Sequence, residues 1–162
     1  MRIGILSDTH GILHPRVMEF LNPVDEIWHA GDIGNIQIAE YLEARKTLRA
    51  VVGNIDGRDL RSKYPEQLTY KTEGVKVLIR HVGGYPGRYS ALAGRMVKSE
   101  KPGLFVCGHS HILRVQYDKN NNLLFINPGA AGNFGFHKSI TAVRLTIEGA
   151  DMKNLEVLDI PR

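Results

Sequence analysis

Three short apolar runs, residues 2–7, 24–29 and 47–52, alternate with two segments of helical spacing, and this alternation constrains the fold more than any other feature of the chain. A helical crossover returns the chain to the end of the sheet it started from, so strands joined in this way run parallel. The first helical segment, 15–22, opens on Pro15, which is favoured at a helix start, and sets Val17, Met18 and Leu21 on one face. The second, 36–45, follows Asn35, a good N-cap, and turns Ile36, Ala39 and Tyr41 or Leu42 toward the core.

The pattern then changes. Residues 67–72 and 75–80 read as a hairpin turning at Glu73-Gly74. A glycine-rich loop at 83–87 leads to a helix over about 89–99, and 104–107 is a short buried strand. Two further strand pairs follow, 112–117 with 123–126 and 139–147 with 153–159, the first turning through 119–122 and the second at Gly149. The second half is expected to be mostly antiparallel. The expected fold class is α/β, with two sheets packed face to face as a sandwich and helices outside. The 162 residues read as one domain, 1–162, with no internal repeat and no linker.

Apolar residues make up 43% of the chain, which suits a globular protein, and the net charge is +4. That charge favours an anionic substrate. It lacks the dense basic patch of a dedicated nucleic-acid binder, so no such partner is expected. Cys107 is the one cysteine, so no internal disulfide can form, which suits a reducing compartment. No stretch approaches the roughly 18 apolar residues of a membrane span, and the apolar run at the N-terminus is too short for a signal peptide. The expected location is cytoplasmic.

Polar residues of one chemical kind stand just past the strand ends. Asp8 and His10 follow the first strand, Asp32 the second, Asn54 the third, His81 the strand at 75–80, and His109 and His111 the strand at 104–107. Ligands in α/β sheets bind at the carboxyl ends of the strands. Oxygen and imidazole nitrogen without thiolate suit Mn, Fe, Ni or Zn better than Ca or Mg. Two cations about 3.5–4 Å apart need a bridging anion, for which Asp32 is the candidate. Asp-x-His or Gly-Asp alone says little; the signal lies in their conjunction, in chain order, each at a strand end.

That order of blocks resembles the calcineurin-like metallophosphoesterases: Asp-x-His, Gly-Asp, Gly-Asn, His, then Gly-His-x-His, here from Asp8 to His111. The short length and the step Asn127-Pro128-Gly129 resemble the small YfcE-type phosphodiesterase branch. The resemblance implies a four-layer fold, a double sandwich flanked by helices. It implies two divalent metal ions, manganese first and nickel, iron or zinc as alternatives. Asp8, His10, Asp32 and His111 would hold one ion and Asp32, Asn54, His81 and His109 the other. A hydroxide bridging the ions would attack phosphorus in line with the leaving oxygen. The implied partner is a small phosphate ester or phosphodiester, and homodimerisation is common in the branch.

Two positions depart from the family pattern. Ile55 follows the motif asparagine where many members carry a histidine that protonates the leaving group, and Val82 follows His81 where glycine is usual. Asp56 is then the candidate proton donor, with His10 the other candidate for a catalytic role. A site lacking the histidine should prefer good leaving groups, hence diesters over simple monoesters. The rival reading is a protein-binding scaffold, as in a retromer subunit that shares the fold with a degraded metal site; here the full ligand set survives. His29 is either a buried core histidine or a partner that orients a ligand. His14 and His137 read as surface or loop residues and Cys107 as core. Arg58 and Arg88 are either solvated or phosphate contacts. Phe134 and Phe136 read as an exposed pair at an interface or a substrate wall.

Overall fold

The alternating start of the chain folds, in the computed structural model, which describes residues 1–162, as β1 (Arg2–Leu6), α1 (Pro15–Leu21), β2 (Glu26–His29), α2 (Ile36–Glu43) and β3 (Thr47–Ala50). The three strands pair in parallel, Ile5 with Trp28 and Trp28 with Arg49. Asn35 caps α2 by accepting from the Ile38 amide at 3.0 Å. Ala39 and Leu42 face the core, whereas Tyr41 is exposed, its ring covered by the Arg45 guanidinium 3.5 Å away.

A short helix, α3 (Arg58–Lys63), follows and was not anticipated. Gly57 gives it no side-chain cap, but Asp59 sits in its first turn and Arg61 and Lys63 in its last, the charge order that a helix dipole favours. The rest of the chain forms β4 (Gln67–Thr72), β5 (Val75–Arg80), β6 (Gly84–Tyr85), β7 (Arg88–Tyr89), α4 (Ala91–Glu100), β8 (Leu104–Val106), β9 (Leu113–Asp118), β10 (Leu123–Pro128), β11 (Ser139–Glu148) and β12 (Asp151–Pro161). The β4–β5 turn holds Glu73 and Gly74 both at positive φ, 46° and 82°, as a tight hairpin requires.

The strands make two five-stranded sheets, ordered β12-β11-β1-β2-β3 and β4-β5-β8-β10-β9. As expected, most strand pairs of the second half are antiparallel, β11 with β12 among them, and in the second sheet these pairs, β4 with β5 and β9 with β10, lie at its edges. At its centre β5, β8 and β10 are parallel: α4 carries the chain from β5 back to the same end before β8 begins, and β9, at the sheet's edge, does so between β8 and β10. The last hairpin joins the first sheet instead, with Ile3 opposite Leu145 on β11.

Side-chain alternation then builds the layers. Ile3, Ile5 and Trp28 of one sheet meet Val77, Ile79, Val106 and Ile126 of the other. Burying each such side chain contributes roughly 1.5–3 kcal/mol. On the outer faces, Val17 and Leu21 of α1 cover Leu6, Ile27 and Ala142, and Ala93, Met96 and Val97 of α4 cover Leu78, Phe105 and Phe125. The result is the four-layer sandwich, helix–sheet–sheet–helix. No helix is long and apolar enough to cross a membrane.

Candidate metal centre

The carboxyl ends of β1, β2 and β3 meet those of β5 and β8 at one rim of the sandwich. Of the seven predicted ligands, Asp8, His10, Asp32, His109 and His111 have left-handed backbones, with φ of 54°, 48°, 54°, 69° and 57°. Each such non-glycine residue costs on the order of 1–3 kcal/mol and persists only where its surroundings enforce it.

The enforcement is visible. The exits of β1 and β2 are stitched together by Asp8 N–H to Gly31 O at 3.0 Å, His10 N–H to Asp32 O at 3.0 Å and Gly11 N–H to Ile33 O at 2.8 Å. His29 lies beneath them, fully buried. Its Nδ1 accepts from the Gly31 amide at 3.2 Å, so Nε2 carries the proton and donates to Thr9 Oγ1 at 2.9 Å. Thr9 in turn donates to Ile33 O at 2.9 Å. Burial pushes the pKa of His29 down to about 4, and the ring is neutral. His29 is therefore both a core histidine and the brace under two site loops.

Glycines before the motif residues make room for ligands from other loops. A Cβ on Gly53 would stand 2.0 Å from Asp32 Oδ1, and one on Gly108 would stand 2.8 Å from Asp8 Oδ2. Asp8 Oδ2 accepts from the His109 amide at 3.0 Å. Its Oδ1 is buried without a hydrogen-bond partner, although His111 Nε2 is 3.1 Å away.

Around that oxygen the other donors converge. His10 Nε2 lies 3.9 Å from Asp8 Oδ1, 3.7 Å from Asp32 Oδ2 and 3.4 Å from His111 Nε2. His81 Nε2 lies 3.4 Å from Asp32 Oδ1 and 3.1 Å from Asn54 Oδ1, and His109 Nδ1 lies 3.0 Å from the same Asn54 oxygen. Despite Val82, the His81 ring is firmly posed, because Nδ1 donates to Ala30 O at 2.8 Å and Nε2 is left facing the carboxylates. Burial opposes charge on His81, but the Asp32 hydrogen bond and the nearby Asp8 and Asp32 charges raise its pKa above the ordinary value. The Asp32 carboxyl is held below its ordinary range: burial, the largest single influence, works against this, and the His81 hydrogen bond, the nearby His81 and His10 charges and the Ile55 amide together outweigh it.

Two overlapping groups result, Asp8–His10–His111 and Asp8–Asp32–His81, each with its ligand atoms within 4.8 Å of one another. An orphaned buried carboxylate oxygen amid imidazole nitrogens is costly unless a positive charge completes it. The donor set thus fits divalent metal ions.

Asp56 requires a correction. It is buried, and its two oxygens accept from the Gly34 and Gly53 amides, each at 2.8 Å. It is a clamp joining the exits of β2 and β3, with each carboxylate oxygen turned to a backbone amide. Ile55 contributes its amide, which donates to Asp32 Oδ1 at 3.1 Å, while its side chain is exposed. Arg61, which the sequence did not single out, pins the same loop through Asp56 O at 2.8 Å and Gly53 O at 2.7 Å. Arg58 and Arg88 are exposed.

His14 caps α1, accepting from the Arg16 amide at 3.2 Å. Cys107 is packed in the core, its thiol pushed by burial up to about 12. His137 is not a free surface residue: Nε2 meets Gly132 O at 2.9 Å and Nδ1 meets His111 Nδ1 at 3.3 Å. A cavity of about 770 Å³ opens beside His109 and His111, walled by Ile112, Phe134 and Phe136. The Phe134 ring lies 5.0 Å from that of His10, whereas Phe136 is fully exposed.

The family model of the calcineurin-like phosphoesterase superfamily domain matches residues 1–150. The chain belongs to that superfamily. A protein named as a probable metallophosphoesterase of Methanocaldococcus jannaschii is 28% identical over 138 residues, covering 80% of this chain and 68% of its own. A structure described as a novel archaeal phosphodiesterase superposes with a TM-score of 0.76 at 23% identity, over 98% of this chain and 100% of that one. Vps29 of Chaetomium thermophilum superposes with a TM-score of 0.78 at 15% identity, over 99% and 97%. These two structural likenesses establish the fold. Membership in the calcineurin-like phosphoesterases supports phosphate-ester hydrolysis that depends on divalent metal ions.

Proposed function

We propose that this calcineurin-like phosphoesterase uses two divalent metal ions to hydrolyse small phosphodiesters in preference to monoesters. The observation that carries the reading is the divided carboxylate of Asp32, with Oδ2 turned to His10 and Oδ1 to His81. Asp8, His10, Asp32 and His111 would hold one ion and Asp32, Asn54, His81 and His109 the other. Bound there, divalent ions lower the pKa of water and neutralise charge on phosphoryl oxygens. Asp32 keeps the two halves in register, His81 is oriented by Ala30 O, and Asn54 is held between His81 and His109. His10, within reach of both carboxylates, acts here as a ligand.

The diester preference is supported by what stands after Asn54. Ile55 offers no proton, and Asp56 is spent on backbone amides. A leaving group that needs protonation has no side-chain donor at this position, so substrates with good leaving groups are favoured. Manganese is the proposed ion, following the family resemblance, with nickel, iron or zinc equally suited to the oxygen and imidazole donors, and a cytoplasmic location fits a buried free thiol.

The test is turnover of bis(p-nitrophenyl) phosphate beside p-nitrophenyl phosphate by chelator-stripped protein with Mn, Ni, Zn, Mg or no addition, alongside Asp8→Asn and His81→Ala. Metal-dependent diester hydrolysis that collapses in both variants is the expected result. A folded protein that binds no metal and turns over neither substrate would instead leave the protein-binding scaffold reading, which the Vps29-like fold accommodates.

A further inference from the structure

The contacts of His137 fix more than its own position. Gly132 O can only accept, so His137 Nε2, 2.9 Å away, carries its proton. In the neutral ring Nδ1 is then an acceptor. Its partner is His111 Nδ1 at 3.3 Å, so His111 must carry its proton on Nδ1. That leaves the lone pair on His111 Nε2, the atom 3.1 Å from the orphaned Asp8 Oδ1 and 3.4 Å from His10 Nε2. We propose that His137 is a positioning residue that sets the tautomer and ring angle of His111, relaying the Gly132 carbonyl to the metal-facing nitrogen.

Three further observations support the relay. The ring centroids lie 5.1 Å apart with planes at 79°, and the two Nδ1 atoms face each other at the seam between the rings. Gly135 passes so close that a Cβ there would stand 2.5 Å from His111 Nδ1 and 3.2 Å from His137 Nδ1, so a side chain would wedge between the rings. The loop is anchored from behind, where Arg162 Nη1 donates to Gly135 O and His137 O, each at 2.9 Å. Metal-binding histidines commonly donate their second N–H to a carboxylate or carbonyl; here an imidazole stands between ligand and carbonyl.

The inference rests on the metal-centre reading for its consequence, but the tautomers can be read without metal. Long-range ¹H–¹⁵N spectra of metal-free protein should show His111 protonated on Nδ1 and His137 on Nε2. Titration with Mn²⁺ or Zn²⁺ should then show affinity reduced about 10–100-fold in His137→Ala. His137→Gln, whose amide can donate to Gly132 and accept from His111, should recover most of that loss. Circular dichroism and melting temperature check that both variants fold. His111 found protonated on Nε2, or wild-type metal affinity in a folded His137→Ala, would overturn the proposal. If the wild-type protein takes up no metal, the metal-centre reading falls, and the tautomer spectrum decides the His137–His111 relay by itself.

Discussion

The His109 amide donates to Asp8 Oδ2 at 3.0 Å, tying together residues 101 positions apart. The two oxygens of Asp8 therefore do different work, one closing the loop and the other left without a partner. Asp8→Asn can keep the first function, because its amide oxygen still accepts from His109. Asp8→Asn should melt within a few degrees of wild type yet lose metal by more than the ~10–100-fold typical of losing an outer partner. Melting curves beside metal content after desalting check this; a variant that unfolds or keeps its metal would contradict the division of labour.

Asp56→Ala leaves the Gly34 and Gly53 amides without their acceptor. At about 1–3 kcal/mol for each buried group left unsatisfied, stability should fall by roughly 2–6 kcal/mol. Denaturant unfolding measures it. In a folded sample, the pH–rate profile should keep its wild-type shape, since Asp56 donates no proton to the leaving group. Loss of the acid-dependent limb would restore the proton-donor role.

The depressed pKa of His29 predicts how stability depends on pH. An unfolded histidine titrates near 6.5 and the folded one near 4. Between these values the unfolded chain binds the extra proton, so stability rises with pH, is complete above about 6.5, and is lost as pH falls toward 4. The loss from this one residue is on the order of 3 kcal/mol. His29→Gln, neutral throughout, should flatten that part of the curve. Unfolding free energies of the two proteins from pH 4 to 7 give the difference directly, and parallel curves would refute the assignment.

Divalent metal should stabilise the folded protein, because the ligands converge only in the native state. Binding at 100 times the dissociation constant contributes about 2.7 kcal/mol. Melting temperature with and without Mn²⁺, and after addition of chelator, checks this. His81→Ala should abolish the increment without removing the fold.

Much of the fold is legible in the sequence because its signals are local. The hairpin at Glu73-Gly74, the cap at Asn35 and the start of α1 at Pro15 each declare themselves within a few residues. The partners of β11 do not: nothing near Leu145 announces that it lies opposite Ile3. The short α3 escaped because Gly57 offers no cap signal. The candidate ligands were found by chain order and strand ends, and the fold brings all seven together. The clamp made by Asp56 is not legible because a sequence shows a carboxylate but not the two amides it faces. His137 reads as a surface or loop residue because its loop has no periodicity, and its neighbour His111 is 26 residues away.

The span between Asp8 and His111 also bears on how the protein matures. The chain emerging from synthesis presents Asp8, His10, Asp32 and Asn54 long before His81, His109 and His111 exist. That early set has a single imidazole and belongs to one sheet only. Neither group of candidate ligands is whole until β5 and β8 have docked against β1 and β2, so a divalent cation would find its full set of contacts only once both sheets are in place.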